Sequence, residues 1–295
     1  MSYRWTRQHE KGSPAALRLI LWIALHLGRG SARLILYPIT LYFLITAAEQ
    51  RRASRSFLAR VRPGPMHWWH VARHIHCFSA TILDRVFLLS GRLETFDIRF
   101  HGLDAAMETI GAGHGVILLG SHLGSFEVLR ALAAHQSVVG LKVLMYPQHN
   151  QSLTRLLETL DPGIADSVIP LGTDNALLKV GESLERGEMV GILGDRSAPG
   201  EPVVDCRFFD GVVPFPSGPL RIAAATDAPV VLFFGLYRGG NRYDIHFEIL
   251  AEHIDIDRRD RKRDIQAWMQ RYAERLEYHA RRSPYNWFNF YDYWA

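Results

Sequence analysis

A chain of 295 residues, 48% hydrophobic and 22% charged, can bury a sizeable core and is not an intrinsically disordered composition. Its two cysteines, Cys77 and Cys206, sit in no metal-type spacing, which excludes a disulfide scaffold and suits a reducing cytoplasm. The net charge of +4 is modest and no nucleic-acid module signature accompanies it, so no nucleic-acid partner is expected.

From Leu19 to Ala48 the chain is dominated by apolar and aromatic side chains, interrupted by His26, Gly28-Arg29-Gly30 and Arg33. Leu34 to Ala48 carries no charge. A helix needs about 20 residues to cross a bilayer core, so this run is borderline alone. Pro38 predicts a kink or a helix start. A cleaved signal peptide fits poorly, because the apolar region begins late and has arginines in its middle. A single span, a tightly bent helix pair, an in-plane helix and a core helix of a soluble protein all stay open. Arg4, Arg7 and Lys11 precede the stretch, and the heavier cluster Arg51, Arg52, Arg55, Arg60 and Arg62 follows it. That bias predicts an inner-membrane anchor with the rest of the chain facing the cytoplasm. Residues 1–62 read as anchor and basic flank, residues 63–295 as one α/β domain.

Residues 64–92 read as an amphipathic helix carrying Trp68, Trp69, Phe78, Leu83, Val86, Phe87 and Leu88. His67, His70 and His74 share one helical face and could hold a metal, but the intervening tryptophans favour a membrane interface, and no metal is expected. Short apolar strands follow at Phe96–Phe100, Val116–Leu119, Leu141–Tyr146, Val168–Pro170, Val190–Leu193, Val230–Phe234 and Ile245–Ile249. Helical patterns lie between most of them: Asp104–Ile110, Phe126–Ala134, Ser152–Leu160, Asn175–Arg186 and Leu220–Ala225. This alternation predicts an α/β fold with a mostly parallel mixed sheet flanked by helices. A last amphipathic helix spans about Arg261–Arg281. The aromatic ending Tyr285–Trp294 reads as an interfacial belt, the wall of a site for an apolar chain, or core.

The stretch most indicative of chemistry is Gly115 to Glu127. An apolar strand ends at Gly120, small residues turn the chain, and a helix starts near Ser125. Open α/β sheets carry their sites at the carboxyl ends of strands, where this turn lies. His122 and Glu127 are five apart and can meet only if the histidine sits in the turn and the glutamate in the first helical turn. The glutamate would then accept from one ring nitrogen and leave the other as a base. A loop histidine beside an unrelated glutamate is the bland alternative. Gly124 and Ser125 lie in the same turn. Ser217-Gly218-Pro219 reads as a helix start with Ser217 as N-cap, whose free N–H groups could bind an anion; an ordinary capped helix is the alternative. Asp195-Arg196 follows another apolar strand, and its alternative is a structural ion pair. Ser121 and Ser125 are in no G-x-S-x-G elbow, so a serine hydrolase is not expected.

The His122-x4-Glu127 stretch resembles the motif of the glycerolipid acyltransferase superfamily. Gly194-Asp195-Arg196, Arg207-Phe208-Phe209-Asp210-Gly211 and Pro214-Phe215-Pro216-Ser217-Gly218-Pro219 narrow the resemblance to bacterial lipid A late acyltransferases. The run Leu27 to Pro38 is similar to that family's anchor region. After Tyr146 the family usually carries an arginine that is missing here. The ending Trp287-Phe288-Asn289-Phe290-Tyr291 looks more like members found alongside aryl-polyene synthesis.

The resemblance implies an acyltransferase acting without cofactor; a catalytically silent membrane or carrier-protein docking module and a thioesterase or lipase are the rival readings. An acyl carrier protein or coenzyme A thioester would be the donor and a membrane lipid the acceptor. His122, Glu127 and Arg196 would be catalytic, and Gly124, Ser125, Asp195, Phe209, Phe215, Ser217 and Gly218 would contact substrate. The Asp195-Arg196 turn belongs to the active site by resemblance. Arg196 would hold a phosphate or polarise the thioester carbonyl.

Overall fold

The structure is a computed structural model that describes residues 14–111, 115–129, 140–146, 163–173, 175–257 and 259–294. The predicted helix at residues 152–160 and most of that at 126–134 lie outside the described residues.

Three helices come first: α1 (Pro14–Thr46), α2 (Ala48–Val61) and α3 (Trp68–Leu89). The expected break at Pro38 is not the one observed. Helix α1 runs through Pro38 and is interrupted at Gly28, whose φ of 80° and ψ of 173° are outside any helix. A positive φ of this kind is available to glycine at little cost. Arg29 and Arg33 turn toward the body of the protein. Arg29 forks onto the buried Asp84 of α3 at 2.8 and 2.9 Å, and Arg33 donates to the Tyr237 hydroxyl at 2.5 Å. Further along α1, Leu34, Tyr37, Leu41, Tyr42 and Ile45 are exposed. Over Arg18–Thr46, α1 is long and apolar enough to cross a membrane. Ala24, Ala32 and Leu36 of α1, with Phe57 and Leu58 of α2, join the same buried cluster as the sheet.

The body follows as β1 (Asp97–His101), α4 (Leu103–Gly111), β2 (Val116–Gly120), β3 (Leu141–Met145), α5 (Gly163–Ser167) and β4 (Val168–Pro170). Next come α6 (Ala176–Glu185), β5 (Met189–Leu193), β6 (Val203–Phe208), β7 (Gly211–Pro216) and α7 (Gly218–Thr226). The last elements are β8 (Val230–Gly239), β9 (Arg242–Ala251) and α8 (Arg261–Arg282). Seven strands form one sheet in the order β1-β9-β8-β2-β5-β3-β4. Its pairs are parallel except the antiparallel β8–β9. This is the α/β class predicted from the alternation. All five residues of β2 are buried, as a central strand covered on both faces requires.

Among the described residues, strands β6 and β7 pair only with each other, as an antiparallel hairpin, and were not among the expected strands. Their register sets Gly211 opposite Phe208 and Pro216 opposite Val203. A two-residue reversal at Phe209-Asp210 joins them, and Phe209 takes a φ of 56° there.

Candidate active site

The order β2-β5 puts Gly120 in register with Leu193, so two neighbouring parallel strands end together. Two residues beyond each end stand His122 and Asp195. The His122 Nδ1–H donates to Asp195 Oδ1 at 2.8 Å, and the His122 backbone N–H reaches both carboxylate oxygens at 3.0 Å. Asp195 is buried and also accepts from Trp287 Nε1 at 3.2 Å and Asn289 Nδ2 at 2.9 Å. Burial alone would push its carboxyl up. The charge and hydrogen bond of His122, the Arg196 charge and the Asn289 amide overcome this and hold it down to about 2. The aspartate is therefore an anion that fixes the ring with its proton on Nδ1. Nε2 is left as the basic nitrogen, with no hydrogen-bond partner among the described residues.

The imidazole side chain is 27% exposed. Burial and then the Arg196 charge lower its pKa below the ordinary histidine value, Asp195 opposes them, and Arg85 adds a smaller lowering effect. A neutral imidazole at neutral pH is the form a general base requires.

The turn around His122 is held from two sides. On one, Gly124 bridges to Gly235 of β8, and the Ser125 N–H donates to the Gly235 carbonyl at 2.8 Å. Gly124 has a φ of +89°, and a Cβ there would lie 2.0 Å from that carbonyl oxygen, so only glycine fits. On the other side, the aromatic ending forms an antiparallel bridge between Leu123 and Trp287. The Phe288 N–H donates to the His122 carbonyl and the Gly124 N–H to the Asn286 carbonyl, both at 2.8 Å.

The family model for bacterial lipid A biosynthesis acyltransferases matches residues 78–295. The chain belongs to that family. No curated protein matches it in direct sequence comparison. An acyltransferase activity follows from the family, and the matched region contains both His122 and Asp195.

The expected meeting of His122 and Glu127 is not formed. Glu127 opens a helical turn and pairs with Arg85 of α3, Oε2 to Nε 3.0 Å, while the ring turns to Asp195. Arg85 lies close enough for its charge to reach His122. Asp195, expected to contact substrate, here partners the histidine. Its neighbour Arg196 donates through Nε to Asn289 Oδ1 at 2.6 Å and through Nη2 to the Phe288 carbonyl at 3.0 Å, with its guanidinium 5.7 Å from the Tyr291 ring centroid.

Ser217 is not a side-chain N-cap. Its backbone is helical rather than extended, and both its N–H and its hydroxyl are bonded to the Pro202 carbonyl, at 2.9 and 3.0 Å. Gly218 is the first residue of α7, and Pro219 takes the first turn as expected. Phe215 is fully buried and packs edge-on to Tyr272 and Tyr293. These two tyrosines donate at 2.8 Å to the Gly120 carbonyl and at 2.7 Å to the Asp195 carbonyl. Phe215 therefore supports the site through them and offers no surface to a substrate. Phe209 packs against Phe57, Phe208 and Trp294.

The three histidines weighed as metal ligands, His67 just before α3 and His70 and His74 within it, do not converge. His74 is buried between the Ser54 hydroxyl at 2.8 Å and the Trp287 carbonyl at 2.9 Å, His70 bonds the Tyr285 hydroxyl at 2.7 Å, and His67 stacks on Trp69. A different trio, His101, Asp244 and His246, has ligand atoms within 4.8 Å of one another. Its carboxylate already pairs with Arg238 and Arg242.

Trp287, Asn289, Tyr272, Tyr293 and Arg85 were not among the expected site residues. One signal was available. Asn286 and Asn289 stand in an otherwise aromatic run, and amides buried in such a run must find partners.

Proposed function

We propose that the protein moves a fatty or aryl-polyene acyl chain from a thioester to a hydroxyl or amine of a membrane lipid. Acyl carrier protein or coenzyme A is the donor, and no acyl-enzyme forms. The observation that carries this reading is the His122–Asp195 pair at the joint ends of β2 and β5, with Nε2 left as the base.

His122 Nε2 takes the proton of the acceptor as its oxygen or nitrogen attacks the thioester carbonyl. Asp195 holds the ring and stabilises the imidazolium. The positive charge of Arg196 beside the ring favours the tetrahedral oxyanion. Collapse breaks the C–S bond, and the departing thiolate takes the proton from the imidazolium and leaves as a thiol. Glu127 balances the charge of Arg85 at the edge of the site. The exposed apolar face of α1 and the arginines after it fit an inner-membrane position with the body on the cytoplasmic side. Residues 1–62 form the membrane-associated part and residues 63–295 the acyltransferase domain.

The test is transfer of a labelled acyl group from carrier-protein or coenzyme A thioester to extracted lipid, with products resolved by mass spectrometry. His122→Ala should lower transfer by about 10²–10⁴-fold in folded protein. Near-normal transfer by that variant would remove the general-base mechanism, and release of free acid without acylated lipid would make the protein a hydrolase.

A further inference from the structure

The chain turns its last residues back across the ends of β2 and β5. Trp287, Asn286 and Asn289 are buried there at 0, 4 and 1% exposure. Beyond the backbone bridge to Leu123, the segment reaches two consecutive residues of the opposite turn. Asn289 donates its amide N–H to Asp195 Oδ2 and accepts from Arg196 Nε on its carbonyl oxygen. The Trp287 indole N–H reaches the same Oδ2. The arrangement has a direction. A flipped Asn289 amide would set N–H against guanidinium N–H and carbonyl against carboxylate, so the surroundings allow one orientation. Oδ2 is filled by donors from the tail, and Oδ1 remains for the ring of His122.

We infer that Asn289 is a positioning residue of the acyl transfer: its one amide links the carboxylate that orients His122 to the guanidinium beside it. The inference rests on the general-base reading of His122. Trp287 assists by giving Oδ2 a second side-chain donor. The tail is thereby part of the active site, although it contributes no group to the reacting atoms.

Asn289→Asp is nearly the same size, keeps an acceptor for Arg196 and removes the donor to Asp195. It sets a second carboxylate beside the first. That negative charge favours the imidazolium, so the acidic limb of the kcat/KM profile should move to higher pH. Loss of the fixed carboxylate should lower kcat by about 10²-fold with little change in donor KM. Trp287→Phe keeps most of the packing and loses only the N–H; a smaller fall in kcat with the same unchanged KM is expected. Both variants are compared in the full-length protein with wild type and His122→Ala, using active-protein concentrations corrected for folded fraction. A folded Asn289→Asp enzyme with wild-type kcat and an unmoved pH profile would overturn the inference and leave the tail as packing. If Asn289→Asp does not fold, Trp287→Phe decides: wild-type kcat and pH profile there also overturn the inference. Should His122→Ala keep its activity, the mechanism itself fails, whatever Asn289→Asp does.

Discussion

Asp195→Asn is the sharpest test of how His122 is held. The carboxylate receives the His122 ring on Oδ1 and the Trp287 and Asn289 donors on Oδ2. An asparagine has one acceptor oxygen and one NH2. With its oxygen at the Oδ2 position, the two tail donors stay satisfied and the NH2 faces Nδ1. The ring must then accept at Nδ1 and carry its proton on Nε2, where it cannot take another. The opposite rotamer restores the useful tautomer but turns NH2 toward the indole and amide N–H groups. Two buried donors lose their acceptor, at about 1–3 kcal/mol each. Recovering the active arrangement thus costs about 2–6 kcal/mol, and at about 1.36 kcal/mol per decade the rate should fall by roughly 30-fold to 2 × 10⁴-fold. The corresponding replacement in the Ser-His-Asp triad has an effect at the upper end of that range. The measurement is kcat for thioester-to-lipid transfer, with circular dichroism to show that the fold persists. A folded Asp195→Asn protein within about threefold of wild type would refute the assignment of Asp195 as the histidine's partner.

Glu127→Gln should cost less than about tenfold in kcat, because the carboxylate meets Arg85 and not the ring. Arg85 left unbalanced lowers the His122 pKa further, so the acidic limb of kcat/KM should move to lower pH; a loss as large as that of Asp195→Asn would restore Glu127 as the orienting group. His74 makes stability pH-dependent. Burial, opposed by the Trp287 carbonyl, lowers its pKa from 6.5 to about 4. The unfolded chain therefore binds this proton first as pH falls. The native state has its full stability from this residue above about pH 6.5 and loses roughly 3 kcal/mol of it by the time pH is below 4. Denaturation midpoints at pH 7.5 and 4.5 should separate for wild type and separate less for His74→Gln, and an equal separation in both would remove His74 as the cause.

The sheet and the turn that carries His122 could be read in advance because their signals are local. Val116–Gly120 and Met189–Leu193 are continuous apolar runs ended by small residues, the pattern of strands covered on both faces. The hairpin Val203–Phe208 and Gly211–Pro216 was harder to see. Pro214 and Pro216 in its second strand argue against a sheet interior, and they are tolerated because this ribbon stands outside the main sheet. The break in α1 was assigned to Pro38 because proline is the stronger breaker in sequence terms, yet Gly28 takes it, next to the Arg29 that forks onto Asp84.

The partner of His122 was the least legible feature, and the reason is physical. Asp195 is 73 residues away and becomes a neighbour only because β5 is placed beside β2 in the sheet, ahead of β3 and β4. Glu127 is five residues away and looks coupled by spacing alone. Within the fold, the choice between the two carboxylates follows from what each can do once placed. The Glu127 side chain is 19% exposed and belongs to a partly solvated ion pair, so it would hold a ring loosely and at a cost in rotamer freedom. Asp195 is shorter, its side chain has no exposure, and donors from the His122 turn and the C-terminal segment fix both of its oxygens. A base that must take a proton along one line needs the second kind of partner. Such a partner can exist only where distant segments supply enough hydrogen bonds to keep a bare carboxylate buried.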